Sequence, residues 1–237
     1  MTLLEICVDD AAGLSAAETG GADRIELCSA LALGGLTPSV GLMTLAARSP
    51  LPVMAMIRPR AGNFVWSPAE RAVMKEEIAA ARAAGLAGVV IGASHPDGTL
   101  AAGTLADLVQ HARGMDITLH RAIDLCPDPV AAVQLCARLG IRRILSSGGA
   151  PTAAEGVTRL RAMTGHGVTI MPGGGVSPRT LPLLAEFTEV HASASLPAPA
   201  PADPRITAFG FQPPNARVTD AASVAALRAA LDQHPPG

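Results

Sequence analysis

The chain has 237 residues, 49% of them hydrophobic and 16% charged, with a formal net charge of −2. That length supports one large hydrophobic core, and the near-neutral charge offers no electrostatic footprint for nucleic acid or an anionic membrane surface. Aromatic residues make up 2% and tyrosine is missing, which removes the stacking platforms that single-stranded nucleic acid needs.

The opening segment, MTLLEICVDD, has no basic stretch and reaches an acid at Glu5, so no secretory signal is expected. No charge-free apolar run of about 18 residues is present to cross a bilayer. A cytoplasmic location is the expectation. The cysteines Cys7, Cys28, Cys126 and Cys136 lack CxxC spacing and are expected there as free thiols.

Short apolar, β-branched runs alternate with longer Ala/Leu-rich stretches. Strands are predicted near residues 3–9, 24–28, 53–59, 88–92, 116–122, 142–147, 168–172 and 189–194. Helices are predicted near 10–20, 38–48, 67–84, 103–113, 128–139, 152–164, 178–186 and 220–231. Ser67-Pro68-Ala69-Glu70 supplies a cap, a proline at the first helical position and a first-turn acid, while Asp128-Pro129 and Ser177-Pro178 repeat the cap–proline pair. Eight strand–helix units in a chain of this length predict an α/β fold, a closed (β/α)8 TIM barrel forming a single domain over residues 1–237. Residues 196–215, rich in Pro and Ala, break the rhythm and read as a long loop before the last helix, either a spacer or a lid.

Alternate side chains on a strand face opposite ways. In the first strand Leu4, Ile6 and Val8 are apolar and belong against the helices, leaving Glu5, Cys7 and Asp9 for the barrel interior. The same parity turns Glu26 and Cys28 inward, with Met54, Met56 and Arg58 from the third strand, Thr118 and His120 from the fifth, and Glu189, His191 and Ser193 from the eighth. The fourth, sixth and seventh strands are too uniform to divide. Barrel interiors are usually layers of branched aliphatics, so charges at these positions must pair, meet solvent or bind a ligand. Pairing of Glu26 with Arg58 is one self-contained solution; a site at the C-terminal mouth is the other.

The segments LEICVDD, GGADRIELCSALALGGLTPS, MIRPRAGNFVWS, HRAID, RILSSGG, MPGGGV and EVHASAS occur in an order that resembles the CutC family of copper-homeostasis proteins, from residue 3 to about 195. The resemblance implies a TIM barrel, a cytoplasmic location, a role in copper tolerance, a homo-oligomeric state, and Cu(I) held by the cysteines matching Cys7 and Cys28. Two thiols of equal level on neighbouring strands suit Cu(I), which prefers sulfur; burial as small core residues is the alternative. An enzymatic reading stands beside this one. Ser147, Gly148 and Gly149 and the run Gly173, Gly174 and Gly175 would cradle an anion through backbone amides, or serve as tight turns. With Arg58 and Arg60 they would hold a phosphorylated or carboxylated small molecule. His120 or His191 would act as general acid or base, with Glu5 or Glu26 as partner, in an isomerase, aldolase or hydrolase reaction.

Overall fold

The computed structural model describes residues 1–233, and parallel strands alternate with helices through it as β1 (Leu3–Val8), α1 (Ala11–Gly20), β2 (Arg24–Leu27), α2 (Val40–Ala46), β3 (Val53–Met56), α3 (Pro68–Ala84), β4 (Gly88–Ile91), α4 (Ala102–His111) and β5 (Asp116–Leu119). The series continues with α5 (Pro129–Leu139), β6 (Arg143–Ser146), α6 (Val157–Ala162), β7 (Thr169–Pro172) and β8 (Glu189–Ala192). It ends with β9 (Ser195–Pro197), α7 (Arg205–Ala208), β10 (Arg217–Thr219) and α8 (Ala221–Gln233). Helix starts follow the local chemistry. Ser67 and Glu70 form a reciprocal capping box at the head of α3, and the Asp128 carboxylate accepts the Ala131 amide at 3.0 Å to start α5.

The eight parallel strands lie in the order β7-β6-β5-β4-β3-β2-β1-β8, a (β/α)8 barrel whose last joint, β7 to β8, is a single bridge between Gly173 and His191. Sequence accounts for that weak joint. Thr169 and Gly173 donate their amides toward β6, so the alternation of a strand turns the intervening Pro172 toward β8, where it has no N–H to give. The expected helix at 178–186 is only a 3-10 turn, Leu181–Leu184, with Pro182 at its start.

The parity argument holds. Leu4, Ile6, Val8, Ile25 and Leu27 pack between barrel and helices, together with Met74, Ile78, Leu105, Leu108 and Val224 from the helices. A separate small apolar cluster, Cys28, Met54, Met56 and Val90, fills part of the interior. The 196–215 segment is more ordered than a plain loop: β9 and β10 pair antiparallel, Ser195 with Thr219 and Pro197 with Arg217, forming a strap with α7 between them. Among the described residues, no helix is long and apolar enough to cross a membrane.

Candidate functional site

The barrel interior is floored by ion pairs. Glu5 on β1 accepts from Arg24 Nε at 2.5 Å, and Arg24 reaches on to Glu189 at 2.5 Å and to the Met171 sulfur at 3.2 Å. Arg143 on β6 meets the same Glu189 oxygen at 2.5 Å and Asp116 at 3.2 Å, and donates to Thr118 at 3.0 Å. Six strands are thereby tied through one largely buried layer. Sequence reasoning missed both arginines, although Arg24 lies two residues before Glu26 on the same face of β2.

Above this floor, Glu5 accepts a hydrogen bond from Nδ1 of His191 at 2.8 Å. Burial alone would raise the Glu5 pKa; the His191 hydrogen bond and the Arg24 charge outweigh it and hold the carboxyl at about 2. His191 is buried, yet the charge of Glu26 and the hydrogen bonds to Cys7 and Glu5 lift its pKa well above 6.5. Because the folded pKa of Glu5 lies below its ordinary 4.5, its ionisation stabilises the fold above that value and ceases to do so as pH falls toward about 2. Acid titrations followed by circular dichroism should therefore show Glu5→Gln less stable than wild type at neutral pH, the gap narrowing below pH 4.5. A gap that stays constant across this window would remove the linkage.

The chemistry-bearing atoms then converge. Ligand atoms of Cys7, Glu26 and His191, all buried, lie within 4.8 Å of one another, with His191 Nε2 3.8 Å from Glu26 Oε2. Level pairing of Cys7 with Cys28 needs correction: the β1–β2 ladder pairs Cys7 with Glu26 and Glu5 with Arg24. Cys28 sits two residues beyond Glu26, just past the end of β2, packs against Met54, Met56 and Val90, and donates its thiol to Glu26 at 3.5 Å. Burial, reinforced by the Glu26 charge, pushes its pKa well above 9, so it is a neutral thiol.

The opposite wall of the mouth carries His120, buried between strand ends. Its Nδ1 accepts the Ala122 amide at 3.1 Å, and burial, with the Arg58 charge, pushes its pKa down to about 3. His120 is therefore a neutral imidazole and poorly suited to act as a base near pH 7. Arg58 does not pair with Glu26; its guanidinium binds the carbonyls of Leu33, Gly35 and Gly62. Arg60 turns to the head of α3, where it pairs with Glu70 and lies 4.8 Å from the Trp66 ring centroid.

The two glycine runs differ. Asp124 already fills the first: its carboxylate accepts the Ser147 and Gly149 amides at 3.1 Å, while the Gly148 amide goes to Ser146 Oγ at 2.9 Å. Arg121 closes the arrangement, bonding Asp124 at 2.7 Å and Ser147 Oγ at 2.6 Å. In the second run Gly173 donates to the Ser146 carbonyl at 2.9 Å, and Gly174 and Gly175 line the mouth cavity. No short-range signal could have revealed Asp124, which arrives from a different βα loop. The cavity holds about 800 Å³ and extends from Cys7, Glu26 and His191 across to Arg58 and His120, beneath Arg217 of the strap.

Residues 2–196 match the family model described as the CutC family. A family protein CutC of Sinorhizobium medicae (strain WSM419) is 55% identical over 97% of this chain and 96% of its own length. Its counterpart in Rhizobium meliloti (strain 1021) is 54% identical with the same coverage. A solved CutC structure from Streptococcus agalactiae, titled as a copper homeostasis protein, superposes with a TM-score of 0.77 at 28% identity, covering 81% of this chain and 99% of that one.

Proposed function

Because this chain belongs to the CutC family, we propose that it serves copper homeostasis by holding one Cu(I) ion as cargo at the mouth of its barrel, on Cys7 and His191. The observation that carries this reading is the convergence of Cys7, Glu26 and His191 ligand atoms within 4.8 Å. The donor set fits the ion. Cu(I) is soft and takes few ligands, so a thiolate and an imidazole suffice, while the harder Glu26 oxygen stands beside them as a charge. Glu5 holds Nδ1 of His191 at 2.8 Å, which aims Nε2 at the ion, the carboxylate–histidine–metal arrangement that sharpens many metal sites.

Loading then displaces protons, because both ligands bind metal only when deprotonated. His191, held protonated by its neighbours, gives up its Nε2 proton, so affinity rises with pH through the titration of this group. Cys28 remains a packing residue that donates to Glu26.

Anaerobic Cu(I) titration against a competing chelator tests the assignment. Wild type should bind one equivalent. Cys7→Ser and His191→Ala should lose it, Glu5→Gln should weaken it roughly 10- to 100-fold, and Cys28→Ser should stay near wild type. Equal competition by all five proteins would sink the reading; loss in Cys28→Ser alone would move the site. Zn(II) in a parallel titration distinguishes a sulfur-selective site from one that uses all three ligands.

A further inference from the structure

A single ion leaves most of the mouth cavity, about 800 Å³, without a task, and its far wall is built with more precision than a spacer requires. His120 is held between two surfaces. On one side a Cβ at Gly92 would fall 2.1 Å from its ring, so only glycine fits beneath it; on the other the Phe64 ring centroid lies 4.6 Å away. With Nδ1 accepting the Ala122 amide, the neutral ring carries its proton on Nε2. That N–H has no hydrogen-bond partner, although His120 is only 3% exposed.

Two further buried atoms, on residues that line the same cavity, share that condition. Arg58 spends its terminal nitrogens on the Leu33, Gly35 and Gly62 carbonyls, and lies 5.2 Å from the Phe64 centroid, but its Nε–H is unpartnered. Glu26 engages Cys28 through Oε2, and its Oε1 is unpartnered. Buried polar groups are satisfied in the great majority of cases. Of the six such atoms among the described residues, three (two donors and one acceptor) belong to residues lining this one cavity, a concentration that points to recognition.

We propose that this cavity binds a small hydroxy acid, with the carboxylate accepting from His120 Nε2–H and Arg58 Nε–H on the far wall and a hydroxyl reaching across to donate to Glu26 Oε1. Arg58 supplies the positive charge, the neutral imidazole supplies direction, and the volume lies within the range of small-molecule sites. Arg217 on the same cavity adds positive charge at its rim. The site is separable from the copper reading, since His120 and Arg58 are not metal ligands there and Glu26 presents a different oxygen.

The test uses metal-free full-length protein with gluconate as probe and hexanoate as control, a carboxylate of equal carbon number without hydroxyls. At millimolar concentration gluconate should shift the ring 15N and 1H signals of His120 and release or absorb heat, and hexanoate should do neither. His120→Phe, which keeps a ring against Phe64, should lose about tenfold or more in affinity, whereas Cys7→Ser should bind gluconate as wild type does. Absence of any His120 shift or heat with gluconate, equal binding of hexanoate, or unchanged affinity in a folded His120→Phe would each overturn the proposal. Should that variant fail to fold, the ring signals of the wild type decide the matter. Failure here leaves the copper titration untouched, and failure there leaves this one untouched.

Discussion

Replacing Arg24 with leucine should remove roughly 3–5 kcal/mol of folding stability, the range for breaking a buried ion pair from one side. Arg24 is 4% exposed and stands between Glu5 and Glu189 at 2.5 Å from each. Its loss leaves two carboxylates facing each other in the interior with only Arg143 and His191 to compensate. For a chain of this size each kcal/mol moves the melting temperature by roughly 2–4 °C, so a drop of about 6–20 °C is expected. Thermal melts of Arg24→Leu and of Arg161→Leu make the comparison, because Arg161 and Glu186 form an exposed pair at the surface and such pairs contribute about 1 kcal/mol or less. Similar small losses in both variants would show that the interior layer is not interdependent.

Asp124→Ala is expected to have the next largest effect, on the order of 2–4 kcal/mol. The carboxylate accepts from Ser146 Oγ at 2.6 Å, from the Ser147 and Gly149 amides at 3.1 Å, and from Arg121 at 2.7 Å. Ser147 is fully buried, so its amide would be left bare. The variant would also become what the glycine run looked like in sequence: a nest of backbone donors beside an arginine, open to an outside anion. Phosphate should raise the melting temperature of Asp124→Ala and leave wild type unchanged at matched ionic strength. Equal stabilisation of both by phosphate would mean that the anion binds elsewhere, and no stabilisation of either would mean that the loop collapses without its carboxylate.

What the sequence disclosed, and what it hid, divides along the range of the interactions. The parity of β1 gave the inward set Glu5, Cys7 and Asp9 because Leu4, Ile6 and Val8 leave no other choice for the outer face. Helix starts were readable because caps act within four residues, as at Ser67 and Asp128. Parity within a strand, however, carries no information about the stagger between strands, and the shear of a barrel is what places Cys7 opposite Glu26 rather than Cys28. Arg143 was hidden because the sixth strand is too uniform to divide, whereas Arg24 was within reach of the parity that turned Glu26 inward and was overlooked. Asp124 in the Ser147–Gly149 nest and the β9–β10 strap over the mouth are contacts between segments distant in the chain, and no local pattern announces them.

The single bridge between β7 and β8 has a mechanical consequence. A closed ring of strands resists deformation equally everywhere only if every joint is equally strong, and here one joint has a proline where its neighbours have an amide. His191 stands at that joint, bridged to Gly173 on one side and paired with Glu5 across a full ladder on the other. Breathing of the barrel wall is concentrated at this joint, where the fewest hydrogen bonds must part. The imidazole can thus shift relative to Cys7 and Glu26 while the remaining ladders stay intact, giving an otherwise rigid cylinder its compliance beside His191.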